Sequence, residues 1–106
     1  MKNDHVLEIK MSHFQAAAQQ LSNLYAKSFG GKESGRFRMS SKQVKELLGK
    51  KRLYADDIEQ LTRAVLEEGY VLINMDSFFV VLSANAFVNY RRVSGEALTT
   101  AMTGAI

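Results

Sequence analysis

The residues with the clearest chemical potential are cations, and they are concentrated in one stretch of the chain. Residues 32–52 hold eight lysines and arginines against Glu33 and Glu46, although the whole chain of 106 residues has a formal net charge of only +3. Residues 53–76 have the opposite balance, with Arg63 as the single cation among six carboxylates. Because lysine and arginine neutralise phosphate groups, the first stretch suits contacts with a polyanion. The alternative is that both stretches are solvated faces whose charges offset each other.

The candidate phosphate-binding side chains come from this basic stretch. They are expected on a short strand, on the exposed side of the helix after it, and in the turn that follows. They are Arg36, Arg38, Lys42, Lys45, Lys50, Lys51 and Arg52. Phosphate contacts of this kind give an affinity that falls steeply with salt and little discrimination between bases. Arg91 and Arg92 form a smaller patch, which fits solubility or an interface better than specific binding.

Other chemistries lack the residues or the spacing that they need. The chain has no cysteine, which removes disulfides, thiolate zinc sites and thiol nucleophiles. His5 and His13 lie near the start of the chain without a matching carboxylate pattern for a metal site. The segment from Gly30 to Ser34 has glycines and a lysine but not the spacing of a phosphate-binding loop. We therefore expect no enzyme activity, no metal and no cofactor.

Length and composition indicate one globular domain. A chain of this size can bury a core of its own, and 46% hydrophobic with 24% charged residues is an ordinary globular composition. The longest strongly apolar run, Phe78 to Leu82, is far too short to span a membrane. The N-terminal residues are too polar for a signal peptide. We expect a soluble protein of the cytoplasm without membrane contact.

Two helices with capping boxes are predicted in the first half of the chain. Ser12 and Gln15 have capping-box spacing before an apolar stripe, and this helix is expected to end near Phe29-Gly30-Gly31. The stretch from Gly30 to Gly35 reads as an exposed, flexible loop, followed by a short edge strand from Arg36 to Met39. Ser40 and Gln43 have capping-box spacing for a second helix, which Gly49 ends.

A third helix and a hairpin follow the basic turn. Asp56 is expected to cap the helix, with Glu59 at the third helical position and Gly69 after its end. Its core stripe is predicted to be Ile58, Leu61, Thr62, Val65 and Leu66. The segments from Tyr70 to Ile73 and from Phe78 to Leu82 are predicted to be paired strands joined by a turn at Asn74 to Ser77. From Ser94 onward the helical tendency is weak.

Both faces of the predicted hairpin are apolar. Val71 and Ile73 alternate with Tyr70 and Leu72, and the second strand has a similar division. A sheet open to water on one side would alternate with polar residues, so the second face requires a cover. The candidates are the segment Val6 to Ile9, the segment Ala86 to Val93, or a second subunit. We expect a homodimer in which the first helix or the C-terminal segment covers Phe78 and Val80.

The order of helix, strand, helix, turn, helix and hairpin over about residues 12–83 resembles the winged helix-turn-helix superfamily, an α+β fold. The expected organisation is an N-terminal segment (residues 1–11), a winged-helix-like domain (residues 12–93) and a C-terminal tail (residues 94–106). In that superfamily the third helix usually enters the major groove and the hairpin tip contacts DNA. Here Asp56, Asp57 and Glu59 disfavour such an insertion, and the tip carries Asp76 without a cation.

Two functions remain open from the sequence. The first is a small DNA-binding regulatory or accessory protein, for example in transcription regulation, which uses the basic surface for phosphate contacts. The second is a winged-helix module for protein-protein interaction without nucleic-acid binding. The division into basic and acidic stretches suits either, since it could also orient a contact between proteins.

Overall fold

The computed structural model describes residues 12–104 and has an α+β fold of four α-helices and a three-stranded antiparallel sheet. The expectation that Val6 to Ile9 covers the sheet lies outside the described residues. In chain order the elements are α1 (His13–Tyr25), β1 (Phe37–Ser40), α2 (Ser41–Leu48), α3 (Ala55–Glu67), β2 (Tyr70–Asn74), β3 (Phe78–Ser83), a 3-10 helix (Ala84–Phe87) and α4 (Gly95–Thr103). The predicted α+β class and the order of its elements are confirmed.

Local capping fixes the starts of α1 and α2 where the sequence predicts them. Ser12 Oγ accepts from the Gln15 amide, and the Gln15 side chain accepts from the Ser12 amide, both at 3.0 Å. Ser40 and Gln43 form the same reciprocal pair at the start of α2. Gly49 follows α2 in a left-handed conformation with φ of 66°, which a glycine adopts without steric cost. These four hydrogen bonds satisfy amides that would otherwise lack partners.

The ends of two helices differ from the prediction. Helix α1 ends at Tyr25, before the predicted Phe29, because the chain then turns back on itself. Helix α3 begins at Ala55, so the predicted cap by Asp56 with Glu59 is wrong. Asp57 occupies the third helical position instead, and its Oδ2 accepts from the Tyr54 amide at 3.0 Å. The predicted acidic start of α3 is present, but a different carboxylate stabilises it.

The sheet has the strand order β1-β3-β2, with both pairs antiparallel. In the β1 to β3 register, Phe37 lies opposite Val81 and Ser40 lies opposite Phe78. Strand β1 is therefore an edge strand, and its last residue lies beside the hairpin turn. The turn is closed by Asn74 Oδ1, which accepts from the Asp76 amide at 2.9 Å while Asp76 has a φ of 71°. The predicted hairpin is confirmed.

The core lies between the three N-terminal helices and one face of the sheet. Its fully buried members come from α1, α2, α3, β2 and β3: Ala17, Ala18, Leu21, Val44, Leu48, Leu61, Ala64, Val65, Leu72, Phe79 and Val81. The opposite face of the sheet, which carries Val71, Ile73 and Val80, is half-buried. Because α1 contributes its apolar stripe to this core, that stripe does not cover the second face of the sheet.

The chain after β3 forms a projecting segment. The 3-10 helix lies against β2, and its Ala84 amide donates to the Gly69 carbonyl at 3.0 Å. From Val88 to Gly104 every residue is exposed, and α4 buries no side chain within the described part of the chain. The segment Ala86 to Val93 therefore leaves the second sheet face largely uncovered. None of the helices between residues 12 and 104 is long and apolar enough to cross a bilayer.

Candidate nucleic-acid interface

The structure divides the seven candidate cations into two groups. We call the first the loop group; it consists of Arg36 and Arg38 together with Lys27 and Lys32, and these four side chains line one cleft of about 470 Å³ beside β1. We call the second the turn group; it consists of Lys42 and Lys45 on α2 and of Lys50, Lys51 and Arg52 after it. The Lys50 amide donates to the Lys45 carbonyl at 2.9 Å, which places the turn against the end of α2.

A tight turn at two glycines assembles the loop group. The Phe29 amide donates to the Lys32 carbonyl at 2.9 Å and the Lys32 amide donates to the Phe29 carbonyl at 3.0 Å. Gly30 and Gly31 both have positive φ between these residues, the backbone of a tight hairpin turn. The Gly35 amide then donates to the Tyr25 carbonyl at 2.9 Å and closes the base of the loop. The stretch predicted as a flexible loop thus has defined hydrogen bonds that bring Lys27 and Lys32 to Arg36.

Arg38 lies at the border between the loop group and the second face of the sheet. Its guanidinium carbon is 5.4 Å from the centre of the Phe78 ring, which lies on the neighbouring strand β3. A guanidinium over an aromatic ring is attracted to the ring face and is held in place without a carboxylate partner. The planar group can still donate hydrogen bonds to an anion. Arg38 therefore combines a fixed position with free donors.

The turn group contains one cation that has a structural partner. Lys50 Nζ lies 3.4 Å from Asp57 Oδ1, and Asp57 is buried at the start of α3. The hydrogen bond from the Tyr54 amide, assisted by Lys50, holds the pKa of Asp57 below its usual value against the opposing effect of burial. Lys51 and Arg52 are exposed, and neither forms an ion pair with another residue of the described chain. These two side chains are the free charges of the turn.

The exposed side of α3 is occupied by pairs within the helix. Arg63 donates to Glu59 Oε2 at 3.1 Å, and Gln60 donates to Asp56 Oδ2 at 2.7 Å. Both pairs are one helical turn apart and exposed to water, so each contributes little stability. The Arg63–Glu59 pair does affect phosphate binding, because Arg63 is the one cation of α3 and a carboxylate already accepts from it. The face carries no free positive charge.

Sequence analysis missed three residues of the loop cleft: Lys27, Lys32 and Phe29. Lys27 falls within the longer first helix that the sequence predicts, and Lys32 was counted in the basic stretch without a place in the site. The available signal was the Gly30-Gly31 pair, since two consecutive glycines favour a reversal that returns the chain alongside itself. A reversal at that point places residues 27 and 32 near each other.

The structure contains no candidate metal site between residues 12 and 104. No three histidine, aspartate or glutamate side chains in this part lie close enough together to hold an ion. The ring of His13 has a structural contact instead, with Nε2 located 2.5 Å from the Leu48 carbonyl oxygen at the end of α2. This contact satisfies one of the carbonyls left open at a helix end. It also joins the start of α1 to the end of α2.

The chain matches no family model, no curated protein and no solved structure.

Proposed function

We propose that residues 12–83 form a winged helix-turn-helix that binds duplex DNA through phosphate contacts, as a small regulatory or accessory protein. Helices α2 and α3 are the two helices of the motif, and the β2-β3 hairpin is the wing. Support for the fold comes from the element order and from the strand order β1-β3-β2, in which the strand before α2 joins the hairpin. A fold alone does not establish a function, so the proposal of DNA binding depends on the distribution of basic side chains.

The observation that carries the proposal is that most of the basic side chains have no compensating carboxylate. Among the seven candidates, only Lys50 forms an ion pair within the described part of the chain. Two carboxylates of α3 are already paired, since Asp57 binds Lys50 and Glu59 binds Arg63. A surface with uncompensated cations attracts a polyanion and releases its counterions on binding.

The mode of binding follows from what α3 and the hairpin tip lack. The face of α3 carries Asp56 and Glu59 beside the paired Arg63, and the tip of the hairpin carries Asp76. Insertion of α3 into the major groove would bring these carboxylates toward phosphates. Contacts by the loop and turn groups avoid this repulsion and leave base edges unread. We therefore expect weak binding that does not depend on sequence.

The test is a salt titration of binding to random duplex DNA, followed by fluorescence anisotropy. The variant Lys51→Glu/Arg52→Glu should abolish measurable binding at moderate salt. Replacing the two side chains by alanine should reduce the steepness of log K against log salt by about 2, since each phosphate contact contributes about 0.9. Lys50 is left unchanged because Lys50→Glu would place a second carboxylate beside Asp57 and confuse binding with stability.

The matched control is Arg63→Ala, which removes a cation whose partner is Glu59. It should change duplex binding little. An equal loss in Arg63→Ala and in the turn variant would contradict the phosphate mode and indicate that α3 enters the groove. Absence of binding to random duplex at low salt would contradict the proposal altogether.

The second candidate function is protein-protein interaction, including assembly of a homodimer. It is favoured by α4, whose nine residues bury no side chain against the rest of residues 12–104. An isolated helix of this length is not stable in water, so it requires contacts from another surface. The exposed apolar side chains of the projecting segment are Val88, Tyr90, Val93, Leu98 and Met102. A second copy of the chain is the partner that we propose.

A further inference from the structure

A groove with one apolar half and one cationic half runs along the loop between α1 and β1. The apolar half, of about 490 Å³, is lined by Leu24, Met39 and Leu47 among others. The cationic half is the loop cleft of about 470 Å³ that contains Lys27, Lys32, Arg36 and Arg38. The halves adjoin because Phe29, Phe37 and Arg38 line both. Both halves are open to solvent.

Phe29 presents an aromatic ring at the border of the two halves. The ring is 44% exposed and contacts Phe37 edge to face, with centroids 5.7 Å apart and planes at 74°. The two hydrogen bonds between Phe29 and Lys32 fix its backbone. In an edge-to-face contact the two rings do not stack, so a face of the exposed Phe29 ring remains available to a planar ligand. Phe29 itself lies outside the main core, and it contacts that core only through Phe37.

The polar groups around the groove differ between its halves. The cationic half has four positive side chains and the Ser34 hydroxyl, and no carboxylate lines it. The apolar half has Gln43 and Glu46 of α2 at its side. Gln43 Oε1 already accepts from the Ser40 amide, which leaves the Gln43 amide group to donate. Gln43 and Glu46 therefore offer a hydrogen-bond donor and an acceptor beside an aromatic ring, in addition to the Arg38 guanidinium that both halves share.

We propose that this groove binds a nucleotide, with the base against Phe29 and the phosphate among Lys27, Lys32 and Arg36. Base stacking on an aromatic side chain tolerates any sequence, because every base has a π face. The Gln43 and Glu46 side chains are placed to contact the polar edge of the base. The chemistry is shared by a free nucleotide and by an unpaired nucleotide in a single strand. The site uses the loop group, which also takes part in the proposed duplex contacts, but it does not use the turn group.

The experiment is a titration of the ¹⁵N-labelled full chain followed by amide chemical shifts. The probes are AMP, adenosine, inorganic phosphate and a short single strand of deoxyadenosine. AMP should shift the amides from Phe29 to Arg38 and those near Glu46, with tighter binding than adenosine or phosphate alone. Binding of AMP identifies a free nucleotide as sufficient. Binding of the single strand without AMP binding, at the same amides, identifies a strand as the ligand.

Three variants assign the contacts. Phe29→Ala should weaken binding by about 5- to 150-fold, the range for loss of one stacked base. Phe29→Tyr keeps an aromatic ring and should bind AMP as the wild type does. Lys27→Glu/Lys32→Glu should also weaken binding, whereas Lys51→Glu/Arg52→Glu should leave nucleotide binding unchanged while it removes duplex binding. Phe29→Ala and Lys51→Glu/Arg52→Glu together separate the two proposals, because Phe29 takes no part in the duplex contacts and the two turn residues take no part in the nucleotide site.

The proposal is overturned by any of three results. The first is an absence of amide shifts in the loop with both AMP and the single strand at millimolar concentration. The second is equal affinity for phosphate and AMP, which would mean that the aromatic ring makes no contact. The third is unchanged AMP binding in Phe29→Ala, provided that thermal denaturation shows this variant to be folded.

Discussion

Asp57 joins the turn after α2 to the start of α3 through one carboxylate. One oxygen accepts from the Tyr54 amide at the start of α3, and the other lies 3.4 Å from the Lys50 ammonium in the turn. The residue also faces the positive end of the α3 dipole. A buried carboxylate is tolerated here because all three partners favour its charged form. The turn between α2 and α3 therefore depends on ionised Asp57.

The first prediction concerns the pH dependence of this contact. The pKa of Asp57 is lower in the folded protein than in the unfolded chain, so its contribution to stability is complete above about 3.9, the usual aspartate value. The contribution is lost as the pH falls through the lower folded-state value. Asp57→Asn should reduce the melting temperature at pH 7, and the gap to wild type should close below about pH 3.9.

The control for this prediction is Asp56→Asn, one residue earlier on the exposed side of α3. Its partner is the neutral side chain of Gln60. The melting-temperature gap at pH 7 should be smaller than for Asp57→Asn. Thermal denaturation from pH 7 to pH 2.5 measures both. A gap for Asp57→Asn that persists unchanged in acid would mean that the side-chain shape, and not its charge, stabilises the turn.

At the scale of elements, α3 has one face in the core and one in water. Leu61 is 1% exposed and packs with Val65 and Ala64, whereas Leu66 is 57% exposed. Leu66 was predicted in the core stripe, and that prediction is wrong. The small Ala64 faces inward instead, because it allows the close approach of α1, whose own buried residues include Ala17 and Ala18.

The second prediction uses this difference within one helix. Leu61→Ala should destabilise the protein by about 2–5 kcal/mol, because it leaves a cavity in a close-packed core. Leu66→Ala is the same substitution at an exposed position and should be close to neutral, as should Gln60→Ala. Urea denaturation measures the free energies of unfolding. Similar costs at positions 61 and 66 would indicate that α3 is rotated relative to the structure, or that Leu66 is covered by a partner.

The sequence predicts the elements that depend on local chemistry. The capping pairs at Ser12 and Ser40 act within three residues, and the hairpin follows from β-branched and aromatic strands around an Asn-Asp turn. The start of α3 was predicted wrongly, because Asp56 and Asp57 are both plausible caps and tertiary contact with Lys50 favours the second. Nonlocal pairing cannot be read from spacing along the chain.

The sequence predicts that the candidate site is basic, but it does not predict which cations lie together. The basic stretch from residue 32 to residue 52 is evident from composition. That Lys50 is bound by a carboxylate depends on how the turn folds against α3. Lys27 lines the same cleft as Arg36 because the hydrogen bonds between Phe29 and Lys32 close a loop. The predicted first helix was too long and included the first residues of this loop. Both contacts form only when the chain folds back on itself, so the order of residues alone does not predict them.

At the scale of the whole molecule, the C-terminal segment extends away from a compact body. Every residue from Val88 to Gly104 is exposed. Apolar side chains on the projecting α4 include Leu98 at 52% exposure and Met102 at 77%. They lie four residues apart and thus share one face of the helix. Thr100 and Thr103 lie away from this face.

The last prediction is that this face forms the contact in a homodimer. The stripe of Leu98 and Met102 in one copy should pack against an apolar surface of the other, together with the half-buried second sheet face that carries Val71 and Val80. A stable dimer needs at least about 1,200 Å² of total buried surface, and an extended arm from each copy supplies area without loss of core contacts. Sedimentation at micromolar concentration should give a dimer for the full chain.

Variants of α4 test the contact without touching the core. Leu98→Asp/Met102→Asp should give a monomer whose core stability is unchanged, because neither side chain is buried within residues 12–104. Thr100→Asp/Thr103→Asp adds the same charge away from this stripe and should remain a dimer. A wild-type chain that sediments as a monomer contradicts the prediction. So does a dimer that persists in Leu98→Asp/Met102→Asp, since the contact would then lie on the sheet and α4 would require a different partner.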